Sequence, residues 1–328
     1  MKTLLLSILF TLFIGCASKQ TYLPQNLQSV LPYHGYLPAD IIDSSLDGAT
    51  LKNGSILTQN GINTAIKVEE NEHFLSQYKE YTFASGVNVL HIYQSNGDKR
   101  SITLDATPLS IKSHAGILAL LLNDNSLLLL DYDGTLLFRS KQKEVVAYTS
   151  NIATPIFFDD LVIFPTLDGK IVIVNFESKE EKKSFVVSNK SHFNNITFLA
   201  HSEGIIYAGN RHNLRAITPK ANYKYEATFN LIKMVDNHLI AVTNSGIIAL
   251  LNKELQSITE IKYPFASIVA IAANDKNLFF LEKQGFLIQT DKNLALSKVY
   301  PINDNIEENI FVSKTNIYYK SRFISLPH

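Results

Sequence analysis

The sequence predicts an all-β protein folded as a β-propeller, and three observations carry this prediction. From about residue 40 onwards, short apolar runs alternate with clusters of Asn, Asp, Gly, Ser and Lys, and no segment has a helical period. One apolar run recurs with a mean spacing of 40 residues, and its copies start at Ile117, Leu161, Ile205, Leu239, Leu278 and Ile317. Tight-turn pairs such as Asp168-Gly169 and Ser245-Gly246 follow this run. A four-stranded unit of this length, joined by hairpins, is typical of a propeller blade.

Composition excludes several other classes of protein. The 328 residues are 46% hydrophobic, which is enough to build a core and argues against disorder. Lys and Arg number 30, as do Asp and Glu, so no global basic field favours nucleic acid as a partner. A single Cys and no Trp are present, so an internal disulfide and a Cys-rich metal site are both excluded.

Residues 1–15 are typical of an export signal. Lys2 supplies the positive charge, and the apolar run from Leu4 to Ile14 is too short to span a bilayer as a helix. The sequence Phe13-Ile14-Gly15-Cys16 resembles the lipobox of bacterial lipoproteins. The resemblance implies cleavage before Cys16 and acylation of this residue, which would attach the chain to a membrane. The alternative is an ordinary secretory signal followed by a buried free Cys.

The resemblance to lipoproteins also implies a location. Ala17 stands where Asp would favour retention in the inner membrane, so we expect the outer membrane, with the protein facing the periplasm. Residues 16–40 contain Pro24, Pro32 and Pro38 and no apolar period, and they are interpreted as a lipidated tether. Residues 41–328 are then expected to form a single propeller domain.

Counting blades along the chain predicts a ring of seven. Six are expected near residues 72–105, 109–142, 147–187, 194–228, 229–262 and 266–300. Residues 308–326 and 41–66 are expected to complete a seventh, so that strands from both ends of the chain close the ring. Eight blades remain the alternative, although at a period of 40 they need more than the 288 residues that follow the tether. The apolar run 116–130, which Asn123-Asp124-Asn125 interrupts, is expected to form two buried hairpin strands rather than a membrane span.

The repeat resembles the pyrroloquinoline-quinone-type propeller repeat, through Thr154-Pro155, Asp168-Gly169-Lys170 and the run from Ile171 to Phe176. Together with the lipobox, it is similar to the BamB-like lipoproteins that accompany the outer-membrane β-barrel assembly machinery. The family repeat normally ends in Trp, where this chain has Phe138 and Phe185. Quinone dehydrogenases with this repeat use those Trp residues to lock their blades, so neither pyrroloquinoline quinone nor any other cofactor is expected.

No motif for catalysis is found. The chain lacks a nucleophile elbow, a Walker loop, a dinucleotide fingerprint and a His-Glu-x-x-His motif, so we expect no enzymatic activity and no metal site. His192, His201 and His212 fall within the length of one blade, and they are interpreted as solvent-facing turn residues rather than ligands.

Arg211, Leu214 and Arg215 are the candidate partner contacts. They lie around a turn that lacks the usual Asp-Gly pair, and Arg is enriched at binding hot spots. The alternative for these residues is a solvated turn.

The sequence therefore favours a non-enzymatic, lipid-anchored scaffold that binds another envelope protein, such as the barrel-assembly machinery. The alternative is a propeller that binds a small ligand or glycan in its central funnel. The fold by itself does not decide between them.

Overall fold

The computed structural model describes residues 20–189, 192–307 and 309–327. Cys16 and the predicted signal peptide lie outside the described residues. Within these ranges the chain forms 32 β-strands in eight four-stranded antiparallel sheets. No helix in the described part of the chain is long and apolar enough to cross a membrane.

Seven of the sheets each consist of four consecutive strands. Blade 1 contains β2 (Ile41–Ser44), β3 (Gly48–Leu51), β4 (Ser55–Thr58) and β5 (Gly61–Lys67). Blade 2 contains β6 (His73–Tyr78), β7 (Tyr81–Gly86), β8 (Val89–Gln94) and β9 (Lys99–Thr103). Blade 3 contains β10 (Pro108–His114), β11 (Ile117–Leu122), β12 (Ser126–Asp131) and β13 (Leu136–Lys141). Blade 4 contains β14 (Ile156–Phe158), β15 (Leu161–Pro165), β16 (Lys170–Asn175) and β17 (Glu180–Val186).

The second half of the chain continues the pattern until the ring closes. Blade 5 contains β18 (Phe198–Ser202), β19 (Ile205–Gly209), β20 (Asn213–Ile217) and β21 (Asn222–Glu226). Blade 6 contains β22 (Phe229–Val235), β23 (His238–Thr243), β24 (Ile247–Leu251) and β25 (Ser257–Lys262). Blade 7 contains β26 (Ile268–Ala273), β27 (Asn277–Glu282), β28 (Phe286–Asp291) and β29 (Ser297–Pro301). Blade 8 contains β30 (Ile310–Val312), β31 (Asn316–Tyr319) and β32 (Arg322–Ser325), and β1 (Gly35–Tyr36) is its outermost strand.

The first strand of each blade contacts the first strand of the next, and β30 contacts β2. These contacts join all eight blades in a closed ring, so the β-propeller fold predicted from the repeat is confirmed. The first strands surround the central channel, and the fourth strands form the outer edge of the ring.

The ring has eight blades, so the predicted number of seven is wrong and the alternative of eight is correct. Residues 41–67 form a complete blade, and residues 310–325 form three strands of another. The expectation had merged these two segments into one blade. The strands of blade 1 include three of only four residues, so this blade needs fewer residues than the 40-residue period assumed.

The apolar core is divided among the interfaces between blades. Each of eight hydrophobic clusters in the described residues lies between two neighbouring blades. The β11–β12 hairpin shows the principle, because Leu118 and Leu120 pack toward blade 2 while Leu121 and Leu129 pack toward blade 4. A strand that is buried on both faces has a continuous apolar sequence. The prediction of two buried hairpin strands in the run 116–130 is thus confirmed.

A glycine is required at the β23–β24 turn. Gly246 has a φ of 79°, and a Cβ there would lie 2.0 Å from the carbonyl oxygen of Tyr263. Only Gly combines this left-handed backbone with so close an approach. The predicted Ser245-Gly246 turn is confirmed for this reason.

Residues 22–36 are packed onto the ring, in contrast to the tether expected over residues 16–40, of which residues 16–19 lie outside the described residues. Tyr22 is 4% exposed in the interface of blades 6 and 7. Leu27 forms a parallel bridge with Val299 of β29, and the N–H of Gln28 donates to the Val299 carbonyl at 2.8 Å. The segment then supplies β1 to blade 8. The segment has no apolar period, but it is held in place because the Tyr22 ring is buried and the backbone pairs with the edges of β29 and β32. The ordered domain therefore begins well before residue 41.

Candidate functional site

Of the three predicted contact residues, the structure leaves Arg211 available to a partner. Arg211 is exposed in the turn between β19 and β20. Leu214 is fully buried between blades 5 and 6, so the prediction that it contacts a partner is corrected. Arg215 is half-buried, and its Nε donates to the Val187 carbonyl at 3.5 Å. Successive residues of β20 point to opposite faces of a packed blade, which draws Leu214 and Arg215 into its two interfaces.

The turn that carries Arg211 is built by a buried amide. Oδ1 of Asn210 accepts hydrogen bonds from the N–H groups of His212 and Asn213, both at 2.9 Å. Its Nδ2 donates to Oδ1 of Asn194 at 2.9 Å. This Asx turn lies where blade 4 has the pair Asp168-Gly169, and it holds the backbone on both sides of Arg211.

A second cation, Lys283, is presented in the same way by blade 7. It lies in the turn between β27 and β28, directly after the fully buried Glu282. The Glu282 carboxylate accepts hydrogen bonds from the N–H groups of Gln284 at 2.7 Å and Ser267 at 3.2 Å. Burial raises the pKa of Glu282, although these hydrogen bonds oppose the shift. The Glu282 carboxylate thus stabilises the turn in which it lies, and the Lys283 side chain is exposed.

Arg211 and Lys283 both line a cavity of about 310 Å³ at one end of the central channel. The cavity is formed by the starts of the first strands of blades 6 and 7, by two turns and by the linker before blade 4, and we call it the channel mouth. Its remaining lining residues are Thr149, Asn151, Thr197, Phe229, Asn230, Leu231, Ile232, Ser267, Ile268 and Val269.

The charge of the channel mouth is positive. No Asp or Glu lines it, and neither Arg211 nor Lys283 forms an ion pair within residues 20–189, 192–307 and 309–327. The walls between the two cations combine hydroxyl and amide groups with apolar side chains. Such a site can accept an anionic group that is joined to an apolar surface.

A buried amide also fixes the polar side of the mouth. Asn195 is fully buried, and its Oδ1 accepts a hydrogen bond from the Thr149 N–H at 2.9 Å. Its Nδ2 donates to the Asn151 carbonyl at 2.7 Å. These hydrogen bonds hold the linker before blade 4 against blade 5. Thr149 and Asn151 of this linker both lie in the cavity wall.

Sequence reasoning missed Lys283, Thr149 and Asn151. Lys283 precedes a Gln-Gly pair, which is typical of any solvated hairpin turn. It lies 72 positions from Arg211, and only closure of the ring brings the two together. The sequence signal that could have drawn attention to the Lys283 turn is Glu282, a charged residue at the end of the apolar strand Leu278 to Leu281.

The three histidines do not converge on one site. His201 lies in β18 rather than in a turn, and its ring packs on Phe158 with 3.6 Å between centroids. Burial lowers the pKa of His201. His212 follows Arg211, and His192 is exposed. In the described part of the chain, no group of three or more His, Cys, Asp or Glu residues is placed to hold a metal ion.

A second charged cluster lies between blades 1 and 2. The carboxylate of Glu72, which is 6% exposed, accepts hydrogen bonds from the Tyr93 hydroxyl and from Lys99 Nζ at 2.7 Å. His91 Nε2 lies 3.1 Å from the same carboxylate. Burial raises the pKa of Glu72, but hydrogen bonds from Lys99, Tyr93 and the Glu69 backbone outweigh it and hold the pKa below its usual value. These groups are satisfied by one another and by Glu69, which also pairs with Lys99 Nζ at 2.7 Å, so the cluster fixes the linker before β6 to strands β8 and β9 rather than forming an open site.

No family model matches the chain. The plasminogen-binding protein PgbB of Helicobacter pylori strain J99 is 24% identical over an alignment of 382 residues, which covers 98% of this chain and 70% of that protein. PgbB of Helicobacter pylori strain 26695 has the same identity and coverage.

Solved propellers are similar in fold. BamB from Moraxella catarrhalis has a TM-score of 0.68 at 12% identity, over 92% of this chain and 97% of that one. Sqt1 from Saccharomyces cerevisiae has a TM-score of 0.65 at 11% identity, over 94% of this chain and 99% of that one. These likenesses establish a BamB-like propeller fold.

Proposed function

We propose that this chain is a non-enzymatic propeller of the bacterial envelope that binds a protein partner at its channel mouth. In this proposal, acylated Cys16 anchors the chain to the outer membrane, and the ring faces the periplasm. The observation that carries the proposal is the pair Arg211 and Lys283, two exposed cations that have no carboxylate partner among the described residues and lie beside an apolar wall.

The chemistry of the channel mouth defines the partner surface. Arg binds a carboxylate through two parallel N–H donors, and Lys adds a second positive charge. Leu231, Ile232 and Val269 offer apolar contact beside them. The complementary surface is an acidic side chain or a chain-terminal carboxylate within an apolar segment.

Rigidity favours binding at this site. The backbone on each side of Arg211 is fixed by Asn210, and the turn of Lys283 is fixed by Glu282. Side chains presented by a fixed backbone lose less conformational entropy on association. Few side chains need to change position for a partner to bind.

The lipobox and the fold support an envelope protein as the partner. The BamB-like propeller makes a component of the β-barrel assembly machinery the first candidate. The 24% identity to PgbB favours a second candidate, plasminogen. Both are protein partners, and both can be tested with the same purified chain.

The test is affinity capture with the tagged full chain from detergent-solubilised envelopes of the source bacterium, after chemical cross-linking. The proposal expects enrichment of an envelope protein that is reduced in the double variant Arg211→Ala, Lys283→Ala. Surface plasmon resonance with immobilised plasminogen tests the second candidate. Absence of capture in both experiments, or capture that the double variant leaves unchanged, would contradict binding at the channel mouth.

A further inference from the structure

The point at which the chain joins the ring limits how far the ring can lie from its proposed anchor. Tyr22 is the first buried residue of the described chain, and its ring contacts Tyr263 and Phe286 edge-on at 6.2 and 5.8 Å between centroids. Two T-shaped aromatic contacts inside a packed interface fix this position firmly.

Only six peptide steps separate Cys16 from Tyr22. A fully extended chain spans at most ~3.6 Å per residue, so the Cα atoms of these residues can be no more than about 22 Å apart. The headgroup region alone accounts for roughly 5–8 Å on each side of a bilayer, from the difference between its total thickness and its hydrocarbon thickness. An acylated Cys16 therefore brings the ring edge at blades 6 and 7 to the membrane surface.

Large apolar side chains project from this edge. Leu23, directly after Tyr22, is 79% exposed, and Leu27 is 53% exposed. Phe265 is 53% exposed and lies two residues after Tyr263, with a φ of 63°. A left-handed backbone is unfavourable for Phe, and exposure of its ring to water adds nothing to the stability of the fold.

The remaining surface beside Tyr263 suits a lipid headgroup. Lys262 immediately precedes Tyr263, is exposed and forms no ion pair in the described residues. Leu and Phe side chains are favourable at the boundary of headgroups and acyl chains, and a lysine there is attracted to anionic lipids.

We propose that the ring edge carrying Leu23, Leu27 and Phe265 lies in the surface of the lipid bilayer when Cys16 is acylated. This inference rests on the proposed anchoring. It adds an orientation: the blade 6 and 7 edge faces the lipid, and the opposite edge, with blades 2 and 3, faces away from it.

The absence of Trp from the chain provides the test, because one substitution creates a single fluorescent reporter. The variants are Phe265→Trp, Leu23→Trp and, as the matched control, Val146→Trp, which replaces a fully exposed residue (104%) in the linker between blades 3 and 4. Each acylated protein is reconstituted in vesicles of phosphatidylethanolamine and phosphatidylglycerol, with and without brominated acyl chains. Intact mass spectrometry establishes acylation, and circular dichroism establishes folding.

We expect brominated lipid to quench roughly half of the emission of Phe265→Trp and Leu23→Trp, because interfacial side chains lie ~5–10 Å deep. The emission of Val146→Trp should be unchanged. Equal emission with and without bromine in both edge variants would overturn the inference, and so would quenching of Val146→Trp to the same extent. If the mass shows no acyl chain, the anchoring and this inference both fail. If acylation is present without quenching, the inference alone fails.

Discussion

The N–H of Phe229 donates a hydrogen bond to the carbonyl of Arg211 at 2.8 Å, which ties the Arg211 turn of blade 5 to the innermost strand of blade 6. The backbone position of Arg211 is therefore set by two blades. In blade 7, the Lys283 N–H donates to the carbonyl of Ser267 at 2.9 Å, directly before the innermost strand of the same blade. The turn of Arg211 is thus fixed across a blade interface, and the turn of Lys283 is fixed within its own blade.

Arg211→Ala and Lys283→Ala should each weaken capture of the partner. Loss of a hot-spot cation costs about 2 kcal/mol, which is ~30-fold in the dissociation constant. The measurement is the dissociation constant for the captured partner. Lys276→Ala is the matched control, because Lys276 is exposed at the opposite end of β27, and its affinity should equal that of the unmodified protein. Equal losses in Lys276→Ala and Lys283→Ala would show that only net charge matters.

Asn210→Ala should destabilise the ring. The substitution leaves the N–H groups of His212 and Asn213 and the Asn194 amide without their buried partner, and we expect a loss of about 2–3 kcal/mol. Urea denaturation followed by circular dichroism measures this loss. The control is Asn222→Ala at an exposed position of β21, which should change the midpoint little. A midpoint for Asn210→Ala equal to that of Asn222→Ala would contradict the role of the Asx turn.

Glu72→Gln should lower the free energy of unfolding at pH 7 by about 2–3 kcal/mol, because Lys99 loses the buried one of its two carboxylate partners and keeps only the exposed Glu69. The pKa of Glu72 is lowered in the folded state, so the unfolded chain binds the proton first as pH falls. The stability due to Glu72 is thus present above its unfolded pKa and is lost as pH falls through the folded pKa. Urea midpoints from pH 7 to pH 3 should converge for the two proteins. A constant difference across this range would contradict the prediction.

Glu282→Gln should show the opposite dependence on pH. Burial raises the pKa of Glu282, so the folded state binds its proton before the unfolded state does. The protein should therefore gain stability relative to Glu282→Gln as pH falls from 8 to 5. The same urea series measures this change. If the relative stability instead fell over this interval, the direction of the Glu282 shift would be wrong.

Tyr22→Ala should cost about 3 kcal/mol, since a buried aromatic side chain is removed from the interface of blades 6 and 7. The change is measured as the shift of the thermal unfolding midpoint. Tyr36→Ala removes an equally large ring at an exposed position of β1 and serves as the control. Indistinguishable midpoints would mean that the N-terminal segment contributes nothing to the ring.

The sequence was sufficient for the propeller fold because short apolar strands joined by tight turns recur along the chain. Asp168-Gly169 and Ser245-Gly246 mark turns whose Gly has a positive φ, and strands buried on both faces read as apolar runs. The number of blades was less accessible, because blade 1 begins with three strands of only four residues each, and a 40-residue period led residues 41–66 to be merged with residues 308–326 into one blade. Packing with neighbouring blades, rather than their own composition, makes the short segments of blade 1 strands.

Only part of the candidate site could be predicted from the sequence. Arg211 was predicted from an unusual turn, whereas Leu214 was misassigned because the alternation of β20 could not be placed against its neighbours. Lys283 could not be joined to Arg211, since no local signal connects residues of different blades. The contacts of Tyr22 were also missed, because one buried aromatic residue does not produce a periodic apolar pattern in the sequence.

The strand pairing in blade 8 has a consequence for the order of folding. Residues Gly35 and Tyr36 pair with Phe323 and Arg322, so the last sheet unites the two ends of the chain. Pairing across such a separation is slow, because the entropy of a long loop is lost before the contact forms. During synthesis the N-terminal end emerges first and waits for the final residues. Until they arrive, the edge of β1 and the apolar faces of blades 1 and 7 that pack on blade 8 remain exposed, and in this interval the chain depends most on protection from aggregation.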